Sequence, residues 1–484
     1  MKYSVERSRF TKAARNAIDI VCVLGFLVFS FITFVLFYIY RSLVTCYVSV
    51  FKLDFGKVLS GTSAILEEDY WIGAPKYGIV SILKIEHKLC IDLVRETFIN
   101  NVLTNSKYPE LKQYQYDFMG YRFWRNDKSF NVENHVYQRY PTEFPNLSVE
   151  TIHEEFINKP FDRLKSPWEL VLINLPSENA DTGATQSLLV YRNHHSMADG
   201  KSILKLLFES FGQQKLVTAL ARYEKRSVLQ QLCFYLRSPI QLVNLGLLWK
   251  QAYLNSMGHL FKFNSSPQKE NQTRLIVGLS PVIPLDQLKS IAKKKNVRVS
   301  AVILSIMAGA MRKLNRLNRD KNVSVLCVIP KEGHPDALTN YMYMGSIDLP
   351  VSESSDLKRL NLCNKIYNSV SSSDLLCLTN FYGYQIGVFV GQLRKTLRTV
   401  RAWIVGISNL AGDEQGVKIC SYPCSDFVMS VGPCRGTMGI QLLSSSYRGK
   451  LQIAITAKEG ILDRGEVERL AFLMGKEVQN MVAK

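Results

Sequence analysis

Three patterns of apolar and polar positions run along this chain. In the first, polarity disappears: Ile20–Tyr40 is 21 residues without a charge. A helix of that length matches the hydrocarbon thickness of a bilayer. Asp19 and Arg41 bracket it, and Tyr38 and Tyr40 suit the membrane–water boundary. The stretch predicts a retained single-pass anchor over residues 18–41, behind a basic segment, 1–17. A cleaved signal would have a shorter apolar region ending in small residues, and Ser42-Leu43-Val44 is not such an end. Apolar residues continue through Val44–Phe51, which fits a re-entrant or interfacial stretch. In the second pattern, short apolar runs lie between turn residues. It predicts strands at Tyr77–Ile85, Glu169–Leu175, Gln186–Asn193, Val323–Ile329 and Tyr343–Leu349. Ile440–Ser445 and Leu451–Thr456 flank Tyr447-Arg448-Gly449-Lys450, a hairpin signature. The third pattern has the helical period. It predicts helices at Lys88–Thr104, Lys201–Phe211, Ser280–Asn296 and Glu466–Val482, and the end of another at Thr151–Phe156. Ala301–Leu314 is apolar nearly all round and reads as a buried helix with Ser300 as its N-cap.

Strand-like and helix-like runs alternate on both sides of residues 216–272, so the chain reads as α/β with two large halves, 60–215 and 273–484. The segment between them carries amphipathic patches, Val228–Leu236 and Ile240–Leu254, that suit a membrane surface. At 484 residues and 47% hydrophobic, the chain is large enough for two cores.

Chemistry concentrates at one corner. His194-His195-Ser196-Met197-Ala198-Asp199-Gly200 joins the strand ending at Asn193 to the helix beginning at Lys201. An imidazole on such a turn can face a cavity and act as a base near neutral pH. Gly200 stands where the backbone path is tight.

Charge and cysteine content narrow the partners. The formal charge is +19, which favours a polyanionic surface. The basic residues are spread out. Their densest run, Lys293-Lys294-Lys295 with Arg298, reads as a solvated helix end. No nucleic-acid-binding motif is present, so a membrane surface and cofactor phosphates are the expected partners. The ten cysteines include no Cys-x-x-Cys pair and no zinc spacing with histidine. Cys420, Cys424 and Cys434 form their one cluster and read as unpaired thiols; no metal is expected. Lys2, Arg7, Arg9, Lys12 and Arg15 precede the anchor, so the positive-inside rule places the N-terminus in the cytosol. The unpaired cysteines argue instead for a cytosolic body. The side on which the body lies stays open, and the four Asn-x-Ser/Thr sites, at Asn146, Asn264, Asn271 and Asn322, do not decide it. The expected location is a membrane, the endoplasmic reticulum ahead of the plasma membrane.

Several blocks in order resemble the wax ester synthase/diacylglycerol acyltransferase family. Phe130-Asn131-Val132-Glu133-Asn134-His135-Val136 is similar to its first block, and Pro160-Phe161-Asp162 through Pro167-Trp168-Glu169 to its second. His194–Gly200 matches its His-His-x-x-x-Asp-Gly. Leu338-Thr339-Asn340, Asp348-Leu349-Pro350 and Ser408-Asn409-Leu410-Ala411-Gly412 resemble its later blocks. The resemblance runs from about residue 60 to the end. Two departures stand out: Ser300-Ala301 replaces an Asn-Asp pair, and the prolines after Ser408-Asn409 are missing.

The resemblance implies two pseudo-symmetric halves folded like chloramphenicol acetyltransferase and condensation domains, with an active-site tunnel between them. It implies transfer of a long acyl chain from acyl-CoA to a lipid alcohol, giving triacylglycerol from diacylglycerol or wax ester from fatty alcohol. Acyl-CoA is then a co-substrate rather than a bound cofactor, and lysines and arginines line the mouth for its phosphates. His195 becomes the general base and His194 a support for the turn or the pocket wall. Asp199 becomes a structural acid paired with an arginine, and Gly200 serves the backbone. Ser300, Asn340 and Asn409 are candidates for the oxyanion donor. His135 reads as a satisfied core histidine, and Pro167 and Trp168 as packing between the halves. Two other readings compete: transfer to a different alcohol or amine on the same fold, and a membrane lipid-binding protein that has lost catalysis.

Overall fold

A computed structural model of the chain describes residues 2–67, 77–144, 146–176, 186–216, 254, 273–314, 321–331, 333–371, 387–398, 403–433 and 438–482. The expected linker, 216–272, lies outside the described residues apart from Leu216 and Leu254, and so does Cys434.

Two large sheets carry the fold. The first runs in the order Lys418–Ile419, Tyr422–Val431, Gly78–Ile85, Ser187–His194, Trp168–Asn174, Val136–Arg139. Its strand Ser187–His194 is buried at every position, which is why Leu188–Tyr191 is apolar without alternation. Leu189 and Tyr191 enter a core shared with the helix Ile91–Phe98 and the helix Gly200–Leu204. Leu188 and Val190 point to the opposite face, under the helix Val149–Asn158. The second sheet runs Met342–Leu349, Val323–Pro330, Val405–Ala411, Ile440–Tyr447, Lys450–Lys458, Leu275–Leu279. Ile440–Tyr447 and Lys450–Lys458 form the expected hairpin, with Arg448 and Gly449 both at positive φ, 48° and 73°.

The strand Tyr422–Val431 belongs to the second half of the sequence, yet it pairs antiparallel with Gly78–Ile85 and extends the first sheet. The halves are therefore joined by a sheet as well as by the chain.

Several helices begin or continue differently from the pattern. The buried helix runs Val299–Arg312, with every residue from Ala301 to Met311 buried. Its N-cap is Arg298, with no side-chain cap bond, so Ser300 lies in the first turn and is not the cap. The helix expected from Ser280 runs Leu285–Lys295, because Ile283–Pro284 is taken up in pairing with Lys450–Leu451. Asn296, at φ 51°, ends it in the left-handed conformation. The periodic stretches Lys88–Thr104 and Lys201–Phe211 each begin as an α-helix and continue as π-helix, over Ile99–Leu103 and Lys205–Phe211.

Charged side chains are buried among the second half's helices. Arg359 donates to Glu477 and Asp356, both at 2.7 Å, and Lys313 also meets Glu477. The Arg359–Glu477 contact crosses the buried helix at Gly309, where a Cβ would collide with the Glu477 carboxylate.

The N-terminal helix is one element, Lys2–Phe51. Its stretch Phe31–Phe51 is long and apolar enough to cross a membrane. The helix runs unbroken past Arg41, and its later residues pack on the protein: Val44 and Val48 are buried against Tyr121 and Phe123. These two aromatics belong to a small sheet of Phe55–Val58, Tyr121–Asn126 and Gln113–Phe118. Arg41 is tied to the same surface through the carbonyls of Leu59 and Gly387.

Candidate functional site

The His-His turn sits at the end of the first sheet's central strand. Between Ser187 and Asp199 every residue is buried except His195, which is partly exposed. The turn is held from several sides. The Tyr77 carbonyl accepts the His195 N–H (2.8 Å), and the Pro167 carbonyl accepts that of His194 (3.0 Å). Arg192, two residues earlier, is fully buried. Its guanidinium donates to the Phe156 and Pro160 carbonyls and lies 3.8 Å from the Phe161 ring. The Pro160–Glu169 block thus anchors the strand that carries the histidines.

His195 has a defined tautomer. Asn340 Nδ2 donates to the His195 carbonyl (2.8 Å) and to Ser63 Oγ (3.0 Å), which fixes the amide orientation. Asn340 Oδ1 then faces His195 Nδ1 at 2.9 Å and can only accept. Nδ1 therefore carries the proton, and the lone pair is on Nε2. Desolvation in the packed surroundings lowers the His195 pKa, and contacts with its own backbone, Asp199 and Asn340 oppose this only in part. The imidazole is neutral at neutral pH, as a base requires.

His194 is fully buried and held by the turn itself. Its Nδ1 accepts the Ser196 N–H (3.2 Å) and meets the Ser196 hydroxyl (2.7 Å), which in turn accepts from Gln115 Nε2 (2.8 Å). Asp199 caps the following helix: its Oδ1 accepts from Ser202 N (2.9 Å). Its expected partner was an arginine. The structure supplies a histidine instead: His334 Nε2 lies 3.0 and 3.1 Å from the two carboxylate oxygens. The Tyr341 N–H adds a further bond to Asp199, at 2.8 Å. Burial raises the Asp199 pKa, but His334 and the backbone donors of Ser202 and Tyr341 outweigh it and hold the carboxyl below its ordinary value. Gly200 begins the helix, and a Cβ there would lie 3.2 Å from Leu410 Cδ2. Close approach between the halves is what calls for glycine at this position, not left-handed backbone.

The other candidates divide. Both Asn340 hydrogens are engaged, so Asn340 orients His195 and has none to spare for an oxyanion. Asn409 and Ser300 come together: Asn409 Nδ2 lies 3.4 Å from Ser300 Oγ, and Ser444 donates to Asn409 Oδ1 at 2.9 Å. Leu410, next to Asn409, is the residue that meets Gly200. His135 is a core residue, stacked between Phe130 and Trp168, with Nδ1 2.8 Å from the Trp168 carbonyl. Trp168 does not pack between the halves as expected. Its indole N–H donates to the Leu111 carbonyl (2.9 Å), and its ring stacks on Phe98 inside the first half. Pro167 is likewise committed to that half through His194. The described residues contain no cluster of metal-ligating side chains. Cavities of about 580 and 550 Å³ open beside Lys107 and Phe130, and neither is lined by a residue of the turn.

The roles of Ser63, Gln115, Tyr77 and His334 around the turn emerge only in the fold. His334 carried a signal, as one of seven histidines in a Gly-His-Pro loop just before Leu338-Thr339-Asn340. Ser63 carried none.

No protein-family profile matches the chain. Curated relatives do. Wax ester synthase/diacylglycerol acyltransferase 9 of Arabidopsis thaliana is 24% identical over 265 residues, 50% of this chain and 52% of that protein. Wax ester synthase/diacylglycerol acyltransferase 3 of the same plant is 34% identical over 86 residues, 17% of each chain. The first match spans about half the length of its relative. Solved structures cover more. The wax ester synthase/diacylglycerol acyltransferase of Marinobacter aquaeolei superposes with a TM-score of 0.55 at 12% identity, over 88% of this chain and 98% of that one. The trichothecene 15-O-acetyltransferase of Fusarium sporotrichioides gives 0.57 at 11% identity, over 88% and 94%. The starter condensation domain of rhizomide synthetase, solved with C8-CoA, gives 0.56 at 13%, over 91% and 96%. The chain has the acyltransferase/condensation-domain fold, and the resemblance carried by its motifs is supported by named relatives in both sequence and structure.

Proposed function

We propose that the chain is a membrane-bound, acyl-CoA-dependent O-acyltransferase that esterifies a lipid alcohol, diacylglycerol or a fatty alcohol, with His195 as general base. The observation that carries this reading is His195 itself. It is partly exposed while every other residue from Ser187 to Asp199 is buried, with Nδ1 held by Asn340 and the basic nitrogen left at Nε2. The alcohol O–H gives its proton to Nε2 as its oxygen attacks the thioester carbonyl. The tetrahedral oxyanion collapses, the C–S bond breaks, and the imidazolium returns the proton to the CoA thiolate. No covalent enzyme intermediate forms. With Asn340 occupied, the Ser300–Asn409 pair supplies the oxyanion donor from the second half. The apolar N-terminal helix keeps the body beside the bilayer in which acceptor and product dissolve, and the endoplasmic reticulum is the expected membrane.

The test is the purified full chain with radiolabelled acyl-CoA and either diacylglycerol or fatty alcohol, with His195→Ala alongside. Labelled ester from the wild type and its loss in the variant are expected. Product formation unaffected by His195→Ala refutes the base assignment, and absence of product with every acceptor refutes the activity. A mobility shift on glycosidase treatment of the expressed protein would place the body in the lumen.

A further inference from the structure

We propose that His334 acts as a fixed cation that positions the catalytic base: as an imidazolium it clamps Asp199, and Asp199 holds the backbone that carries Asn340 against His195. The inference rests on the acyltransferase reading for its activity readout only.

The charge state follows from the partners of the ring. His334 Nδ1 lies 2.9 Å from the Pro335 carbonyl, and Nε2 lies 3.0 and 3.1 Å from the Asp199 carboxylate oxygens. Both partners are acceptors. A neutral tautomer would set one lone pair against an oxygen, and the side chain is 1% exposed, so water does not relieve that contact. Two donors satisfy both sides, and two donors make a cation.

The clamp reaches His195 through short contacts. Asp199 accepts from Tyr341 N and donates its own N–H to the Thr339 carbonyl (3.1 Å). The Ser202 hydroxyl donates to the same carbonyl (2.8 Å). Thr339 and Tyr341 flank Asn340, whose amide brackets His195. Loss of the cation leaves a buried carboxylate without its counter-charge one residue pair away from the base's orienting amide.

Other charges face this cluster. Lys201 and His195 interact with Asp199 across the turn. Lys205 donates to the His334 carbonyl (3.0 Å) and approaches Asp336 (3.8 Å), which also pairs with Lys107. Lys331 lies 4.9 Å from the Tyr341 ring.

The experiment compares wild type, His334→Gln and His334→Arg as full-length protein. Gln keeps a donor but no charge; Arg keeps the charge and does not titrate. Expected is a fall of kcat by about tenfold or more in the Gln variant at pH 7 with little change in KM for acyl-CoA. The Arg variant recovers most of that loss. Melting temperature at pH 7 is followed in the same three proteins and needs no substrate. The Gln variant melts below wild type, and the Arg variant melts above Gln. Two results overturn the proposal: a Gln variant at the wild-type rate, or an Arg variant less stable than Gln at pH 7. A wild type without acyl-transfer activity refutes the function instead, and the melting series still tests the clamp.

Discussion

Replacing Asn340 separates the roles of its amide. Asn340→Leu removes the acceptor for His195 Nδ1–H and both donors, those to the His195 carbonyl and to Ser63. The side chain is buried, 4% exposed, so the groups left behind are not rehydrated. Each stranded buried group costs about 1–3 kcal/mol. The part of that loss which falls on the orientation and tautomer of His195 appears in the chemical step. At 1.36 kcal/mol per factor of ten, a loss of about 1.4–2.8 kcal/mol lowers kcat roughly 10- to 100-fold. Asn340→Asp differs in kind. A carboxylate still accepts from Nδ1 and keeps the proton on Nε2's opposite nitrogen, but its charge favours the imidazolium. The acid limb of kcat/KM then moves to higher pH. The assay is ester formation across pH 5–9, with circular dichroism and a cooperative melt to show that each variant is folded. A folded Leu variant with kcat within twofold of wild type refutes the orienting role. An Asp variant whose acid limb does not move refutes the electrostatic part of the reasoning.

Further outcomes follow from other contacts. Gly309→Ala would gain about 1 kcal/mol of helix propensity on an open surface. Here it should instead lower stability by about 2–4 kcal/mol, because the new Cβ displaces the buried Glu477 carboxylate from Arg359; urea unfolding measures it, and a more stable variant contradicts the packing described. Burial holds His135 and His195 below the usual histidine range and His153 down to about 3. Below about pH 6.5 the unfolded chain binds protons that the folded one does not, so stability falls with pH by about 1.4 kcal/mol per unit for each such residue until its folded pKa is reached. The urea midpoint should drop between pH 6.5 and 5, and His153→Gln should make that drop shallower. Gly200→Ala pushes on Leu410; kcat should fall more than melting temperature, and equal activity would show that the approach of the two halves here is not critical.

The corner carrying the histidines was legible because its parts are local. The strand Ser187–His194 is buried on both faces and its first half, Leu188–Tyr191, shows as an apolar run, while Asp199 announces a helix start. The expected strand and helix ends there fall within one residue of those observed. The π-helical continuation was not legible, since it keeps nearly the same spacing of apolar residues. The strand Tyr422–Val431 was missed altogether. Ser425 and Asp426 interrupt its pattern, and a bulge between Cys424 and Asp426 absorbs the interruption. The partners of the turn, Ser63, Gln115 and His334, come from distant parts of the chain and meet only in the fold. Trp168 was placed at the wrong surface because an aromatic flanked by proline and glutamate reads the same at an interface and in a core. Its indole bond to Leu111 decides the matter.

The strand that crosses from the second half also sets a timetable. The Gly78–Ile85 strand leaves the ribosome early, but its neighbour Tyr422–Val431 is synthesised far later. At about 5–20 residues per second, that gap is on the order of ten seconds or longer. Throughout it, one edge of a largely apolar strand has no hydrogen-bonding partner. An open edge of this kind pairs with other nascent chains. The nascent protein is therefore most exposed to aggregation after its His-His corner has been made and before its sheet can be completed, and a chaperone that shields residues 78–85 would act in that interval.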